Sequence, residues 1–202
     1  EQLRAECGQL QAELDKLRAA GAMKESVAEP TIDELRAEGV ALDCGAGIGR
    51  VAGAVLLERF AAVELLEPNA AFVSAARGAL PAARLAACHT VALQAFAPPA
   101  GRAYAVVWVQ WTLNYLTDDD VAAFLRRAAA ALEPGGAVVV KESVAREGRG
   151  FYADAGEASI TRTDAHFREI FERAGLAVVA AAPQPELPQA VFPVTMWALR
   201  AR

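Results

Sequence analysis

The chain has 202 residues, a formal net charge of −5 and a mean hydropathy of +0.22, enough for one domain with a sizeable core and too few for two full ones. Its acidic balance argues against a surface built to hold a nucleic-acid backbone. Apolar residues make up 54%, but 48 of them are alanines, and no long apolar run escapes charges or prolines, so no segment reads as a membrane span. Three cysteines, Cys7, Cys44 and Cys88, are an odd number without metal or redox spacing. That argues for a reducing compartment and against a disulfide framework or a metal site. No basic stretch followed by an apolar run marks a secretory leader.

Leu3, Cys7, Leu10, Leu14 and Leu17 alternate spacings of four and three, the a/d seam of a short coiled coil. Such a seam serves either an amphipathic helix lying on the domain or self-association through residues 3–17. Residues 21–30 read as a linker, and Thr31 or Asp33 can cap a brief helix after it. Residues 1–38 are thus expected to be a helix and linker ahead of a domain over 39–202. From Val40 onward strands alternate with helices. Strands are predicted over 40–43, 62–66, 84–88, 103–110 and 137–141, with a final pair over 176–180 and 191–199. Helices are predicted over 48–59, 69–78, 118–132 and 164–174, with a turn at Pro134-Gly135-Gly136. This alternation implies a mostly parallel α/β sheet covered on both faces, with ligands beyond the carboxyl ends of the strands.

Beyond the first strand lies Asp43-Cys44-Gly45-Ala46-Gly47-Ile48-Gly49-Arg50. Glycines are needed there because the backbone turns sharply and must let a ligand approach without a Cβ in the way. Glu67 follows Gly47 by 20 residues, just past the second strand, where a carboxylate can accept hydrogen bonds from a ribose diol. The spacing G-x-G-x-G differs from the G-x-G-x-x-G that seats a pyrophosphate on a helix N-terminus, and Asp43 would repel phosphate. Asp43 suits structuring the turn, or receiving the positive methionyl end of S-adenosylmethionine, so methyl transfer is favoured over hydride transfer.

The Ala41–Arg50 motif, Trp108-Val109-Gln110-Trp111, Leu116-Thr117-Asp118, Phe124-Leu125-Arg126-Arg127, Glu147-Gly148, Ser159-Ile160-Thr161-Arg162 and Ala198-Leu199-Arg200 together resemble the eukaryotic protein N-terminal methyltransferases that act on Xaa-Pro-Lys termini. The resemblance covers residues 40–200. It implies a class I, Rossmann-like methyltransferase with a seven-stranded, mostly parallel sheet, using S-adenosylmethionine as cofactor and the N-terminal peptides of proteins as partners, in cytoplasm and nucleus. By position it implies that Gly45 and Arg50 hold the methionyl carboxylate, with Gly47 and Gly49 also on the cofactor, Glu67 the ribose, Leu93 and Gln94 the adenine region, and Gln110 the cofactor near the transferred methyl. Trp111 would wall the peptide channel against the substrate proline, with Ser143 and Phe192 also on the peptide. Asp154 and Glu157 correspond to an acidic pair that recognises the third-position lysine and helps deprotonate the amine. Because an α-amino group titrates near 7.7–8.0, only a modest proton acceptor is required.

Several positions depart from that pattern. The family's catalytic histidine, in a Gly-His-Leu-Thr setting, is Tyr115 here, and a phenol is a poor proton acceptor at neutral pH. Ser143 stands for the usual asparagine, Glu157 and Glu67 for aspartates. Residues 1–38 contain no aromatic side chain and do not match the family's N-terminal lid. Two further readings therefore stand beside the first: methyl transfer to a small molecule or another protein site, and a binding module with degenerate catalysis. His89 and His166 read as surface or capping residues, Arg126 and Arg127 as the solvated face of a helix, Asp118-Asp119-Asp120 as a helix cap, and Phe124 and Leu125 as core.

Overall fold

A computed structural model describes residues 38–146, 150–185, 187 and 191–202. The expected N-terminal helix, its linker and the seam over 3–17 lie outside the described residues. Strand β1 (Val40–Cys44) leads through the glycine turn into helix α1, a π-helical turn at Ala52–Leu56 that continues as Leu57–Arg59. Then come β2 (Ala62–Leu66), α2 (Ala70–Ala79), β3 (Leu85–His89), β4 (Tyr104–Gln110), α3 (Asp118–Ala130) and β5 (Leu132–Ser143). A hairpin of β6 (Phe151–Asp154) and β7 (Ser159–Arg162) precedes α4 (Asp164–Arg173), β8 (Leu176–Pro183) and β9 (Val194–Ala201).

Seven strands form one sheet in the order β3-β2-β1-β4-β5-β9-β8, with β9 antiparallel to both neighbours. The first five run parallel, so the carboxyl ends of β1, β2 and β4 emerge together and their following loops meet. Successive residues of these strands point to opposite faces. Val107 and Val109 accordingly join Phe124, Phe167 and Trp197 under α3 and α4, while Val106 and Trp108 join Leu56, Phe60 and Leu80 under α1 and α2. On the second face Ala41, Ala52, Ala76, Ala105 and Ala137 are all buried, so part of the alanine excess lets α1 and α2 sit close to the sheet. Helix starts follow their caps: the side chain of Asn69 accepts from Ala71 N and Phe72 N, that of Thr117 from Asp120 N, and that of Thr163 from His166 N.

Two predictions need correction. Pro134-Gly135-Gly136 is no turn between helix and strand but an irregular part of β5: Tyr104 pairs with Leu132 and Val106 with Ala137. A Cβ on Gly136 would come within 3.0 Å of the Tyr104 and Ala105 carbonyl oxygens, so only glycine lets the strand continue there. The β6–β7 hairpin, which carries Asp154 and Glu157, has no counterpart among the predicted strands.

Candidate active site

The glycine turn is held from beneath by the end of β2. Gly45 N and Ala46 N donate to Leu66 O at 2.7 and 3.2 Å. Gly45 and Gly47 have φ of 70° and 54°, the left-handed region that favours glycine. Glu67 accepts from Gly47 N through Oε2 at 2.9 Å and from Asn69 N through Oε1 at 2.8 Å, so one carboxylate ties the turn to the start of α2. A Cβ on Gly47 would meet nothing within 4 Å, whereas one on Gly45 would lie 2.2 Å from Thr112 Oγ1. Gly49 needs to be small for another reason: its Cβ would press on Leu80 and Ala76 of α2. Arg50 is exposed at the start of α1.

Asp43 structures the turn: its Oδ2 accepts from Ala52 N at 3.0 Å inside the core. Burial pushes its carboxyl up to about 7, against the lowering effect of that hydrogen bond and with help from the Glu67 charge. A folded-state value above the unfolded 3.8 means this group contributes stability fully below about pH 4 and loses it as pH rises to about 7. The melting midpoint of Asp43→Asn should therefore gain on wild type between pH 4 and 7, by on the order of 10 °C in paired thermal melts.

Arg126 and Arg127 are not simply solvated. Arg126 donates to Arg173 O at 2.9 Å. Arg127 donates to Leu93 O, Gln94 O and Phe96 O, each at 2.9 Å, and so fixes the loop after β3. That loop holds Leu93 buried and leaves Gln94 exposed. His89 and His166 also have firmer partners than a surface role supplies: His89 Nε2 lies 2.8 Å from buried Glu64, and His166 Nε2 lies 2.7 Å from Asp118. Among the described residues no cluster of histidine, cysteine and carboxylates could hold a metal.

The loop after β4 is the densest part of the site. Gln110, whose Oε1 accepts from Trp108 Nε1 at 3.1 Å, pairs in register with Lys141. Trp111 follows with φ 53°, its N–H on Lys141 O at 3.0 Å and its ring 5.8 Å from the Lys141 ammonium. Thr112 Oγ1 donates toward Gln110 O and Cys44 O at 3.0 and 3.3 Å, seating the loop against the glycine turn. Glu142, which sequence reasoning passes over, accepts from Thr112 N and Leu113 N, both at 2.7 Å. Burial pushes its carboxyl up to about 7, although these bonds and the Arg162 charge act downward. Arg162, fully buried, donates to Leu113 O, Leu116 O and Asp118 Oδ1 at 3.0, 2.6 and 2.7 Å. Burial acts upward on the Asp118 carboxyl, but its bonds from Arg162 and His166 outweigh it and hold the group below its ordinary value. Asp118 is therefore more than a helix cap, since Thr117 supplies the cap itself.

On the hairpin, Asp154 Oδ1 accepts from Gly156 N and Glu157 N at 2.8 and 3.1 Å, closing the turn that presents the exposed Glu157. Phe192 packs its ring 5.6 Å from Tyr152 and so sits beside the hairpin. Ser143 ends β5, and Tyr115 is 55% exposed within the Trp111 loop. Hydrogen bonds thus join the glycine turn, Glu67 and Thr112 directly, and Arg162 joins the hairpin to the Trp111 loop; for Arg50, Gln94, Tyr115 and Ser143 the fold gives placement alone.

Residues 16–200 match the family described as AdoMet dependent proline di-methyltransferase. The chain belongs to this family. Among its relatives is Alpha N-terminal protein methyltransferase 1 of Arabidopsis thaliana, 46% identical over 165 residues, covering 79% of this chain and 59% of that protein. N-terminal Xaa-Pro-Lys N-methyltransferase 1 of Mus musculus is 37% identical over 162 residues, covering 79% of this chain and 71% of that one. The chain spans 59% and 54% of the lengths of the Arabidopsis and rice relatives. A SAM-dependent methyltransferase from Leishmania major superimposes with a TM-score of 0.77 at 34% identity, covering 86% of this chain and 70% of that one. The class I methyltransferase fold expected of this family is therefore the fold of this chain.

Proposed function

We propose that this member of the AdoMet-dependent family transfers methyl groups from S-adenosylmethionine to the α-amino group of proteins with an Xaa-Pro-Lys N-terminus. The observation that carries the reading is the seating of the Trp111 loop: Thr112 locks it against the glycine turn, and Arg162 ties it to a hairpin tipped by two carboxylates. The segments proposed to carry cofactor and acceptor are thereby joined through side-chain hydrogen bonds.

The turn fits the cofactor, because space over Gly47 is open to an added Cβ and the nearby Glu67 carboxylate keeps lone pairs beyond its two backbone bonds. When bound, S-adenosylmethionine supplies an electrophilic methyl on a sulfonium. The protein's part is to position the amine in line with that methyl and to accept a proton, the conditions under which placement lowers a barrier most. Trp111 offers a flat apolar wall that a proline ring contacts at little entropic cost. Glu157, exposed at the hairpin tip, is suited to a cationic third residue and to the departing ammonium proton.

Mass spectrometry of a Ser-Pro-Lys-Arg peptide incubated with protein and cofactor tests the reading: a gain of one to three methyl groups is expected, and an unmodified peptide counts against it. Glu157→Gln, which keeps shape and removes the acceptor charge, should lower turnover by roughly 100-fold or more in the same assay. Turnover equal to wild type would remove Glu157 from its role. The exposed phenol of Tyr115, where a histidine is expected, favours the second reading, transfer to another acceptor; labelled-methyl transfer into a lysate with blocked N-termini would support it. On the leading reading the enzyme works in cytoplasm and nucleus, and residues 3–17 serve as a helix on the domain or, as the alternative, in self-association. Cell fractionation and light scattering with and without residues 1–20 test those two points.

A further inference from the structure

We infer that Glu142 and Arg162 are positioning residues that grip the acceptor-facing loop from Trp111 to Leu116 by its backbone and so set the affinity for the peptide. The inference rests on the peptide-methylating reading above for its kinetic consequence, but not for its geometry.

Trp111 occupies the left-handed region at φ 53°, a conformation that costs a bulky residue about 1–2 kcal/mol and lasts only where its surroundings impose it. What imposes it is the next two residues. Thr112 N and Leu113 N both donate to one oxygen of Glu142, while Arg162 takes the carbonyl oxygens of Leu113 and Leu116. Leu113 is thus held at its N–H by an acid and at its C=O by a guanidinium. Both charged residues are buried, at 1% and 0% exposure, and Glu142 Oε2 has no hydrogen-bond partner. Burying two charges with one oxygen unmatched is a poor way to gain stability, because apolar side chains of similar volume do as well or better. The pair does what apolar side chains cannot: it fixes the direction of four backbone polar groups beside Trp111. Arg162 also ends β7, so a shift of the loop and a shift of the Asp154–Glu157 tip are mechanically linked.

Neither residue needs to touch the peptide for this. The glycine turn has separate anchors in Leu66 O, Glu67 and Asp43, so loosening the grip should act on the peptide far more than on the cofactor. Fluorine NMR of the full chain labelled with 5-fluorotryptophan tests the grip itself, with Trp111→Phe assigning the resonance and Trp108 and Trp197 as internal references. In Glu142→Ala the Trp111 resonance should shift or broaden while the other two hold. Glu142→Gln, which keeps an acceptor oxygen, should restore the wild-type spectrum, and Glu142→Asp, which retracts the carboxylate but keeps its charge and fold, should fall between. A Trp111 resonance unmoved in both Glu142→Asp and Glu142→Ala overturns the inference; Glu142→Asp alone decides it if the alanine variant does not fold. Kinetically, KM for a Ser-Pro-Lys-Arg peptide should rise about tenfold in Glu142→Ala, with KM for S-adenosylmethionine changing less than about threefold and Glu142→Gln close to wild type. An equal rise in both KM values overturns it as well. Should the wild-type chain leave that peptide unmethylated, the functional reading fails, and the spectra still decide the grip.

Discussion

Gly47→Val should abolish binding of S-adenosylhomocysteine in calorimetry while leaving a folded domain, and Gly45→Val should lose the fold. Both glycines have positive φ, so each substitution carries a left-handed penalty of about 1–2 kcal/mol, or a midpoint lowered by roughly 2–8 °C in a domain of this size. The difference between them is what surrounds the added atoms. At Gly45 the Cβ would stand 2.2 Å from Thr112 Oγ1 and 2.8 Å from Thr112 Cγ2. The threonine can yield only by giving up its bonds to Cys44 O and Gln110 O, which seat the loop after β4. At Gly47 the Cβ meets no protein atom within 4 Å. The space it enters lies at the carboxyl ends of β1 and β2, where a parallel sheet of this kind receives its ligand. A fall in affinity of about 100-fold or more with the circular-dichroism melt still cooperative is the expected result, since two methyl groups would occupy the path by which the cofactor approaches the backbone. Unchanged affinity would mean that the turn is not the cradle, and with it the cofactor assignment would go.

The glycine turn was legible because its requirement is local: backbone torsions and close approach dictate residue type within eight positions. The same holds for β1, β2 and β4, apolar runs stopped by glycine, proline or a polar residue. The contacts that hold the acceptor side are of another kind. Arg127 looks like an ordinary polar residue of an amphipathic helix, and nothing near it in sequence marks the three carbonyl oxygens it reaches more than 30 positions earlier. His89 and His166 look solitary because their carboxylates, Glu64 and Asp118, lie 25 and 48 positions away. Glu142 interrupts an apolar strand, which was the available sign that a buried acid has a purpose, but its partners are backbone amides and backbone carries no sequence signature. The β6–β7 hairpin escaped because its first strand leaves Phe151 and Tyr152 exposed. Without burial there is no hydrophobic alternation to read, although the β-branched Ile160 and Thr161 and the turn at Asp154 and Gly156 pointed that way.

Arg162→Met should destabilise the domain strongly while leaving it able to fold, by about 3–5 kcal/mol. The guanidinium is wholly buried, lies 5.9 Å from the Phe167 ring and donates to three acceptors on the loop after β4 and the start of α3. Methionine fills much the same volume, so the loss is one of polar partners and not of packing. Leu116 O would lose its guanidinium donor, Leu113 O would keep only the N–H of Leu116, and the Glu142 carboxylate would lose a charge that favours its ionised form. Arg162→Lys keeps the charge but cannot place three donors in the guanidinium's planar fork, so it should recover only part of the deficit. The pH dependence separates this from a general packing defect. Arg162 is one of the groups holding the Asp118 carboxyl below its ordinary value of 3.8. Asp118 thus contributes stability that is present above that value and lost as pH falls through its lower folded-state value. The gap in melting midpoint between wild type and Arg162→Met should accordingly be widest near neutral pH and narrow on acidification toward pH 3, as Asp118 takes up a proton in wild type. A gap that stayed constant over that range would take the Asp118 ion pair out of the guanidinium's contribution and leave its packing and its bonds to the Leu113 and Leu116 carbonyls.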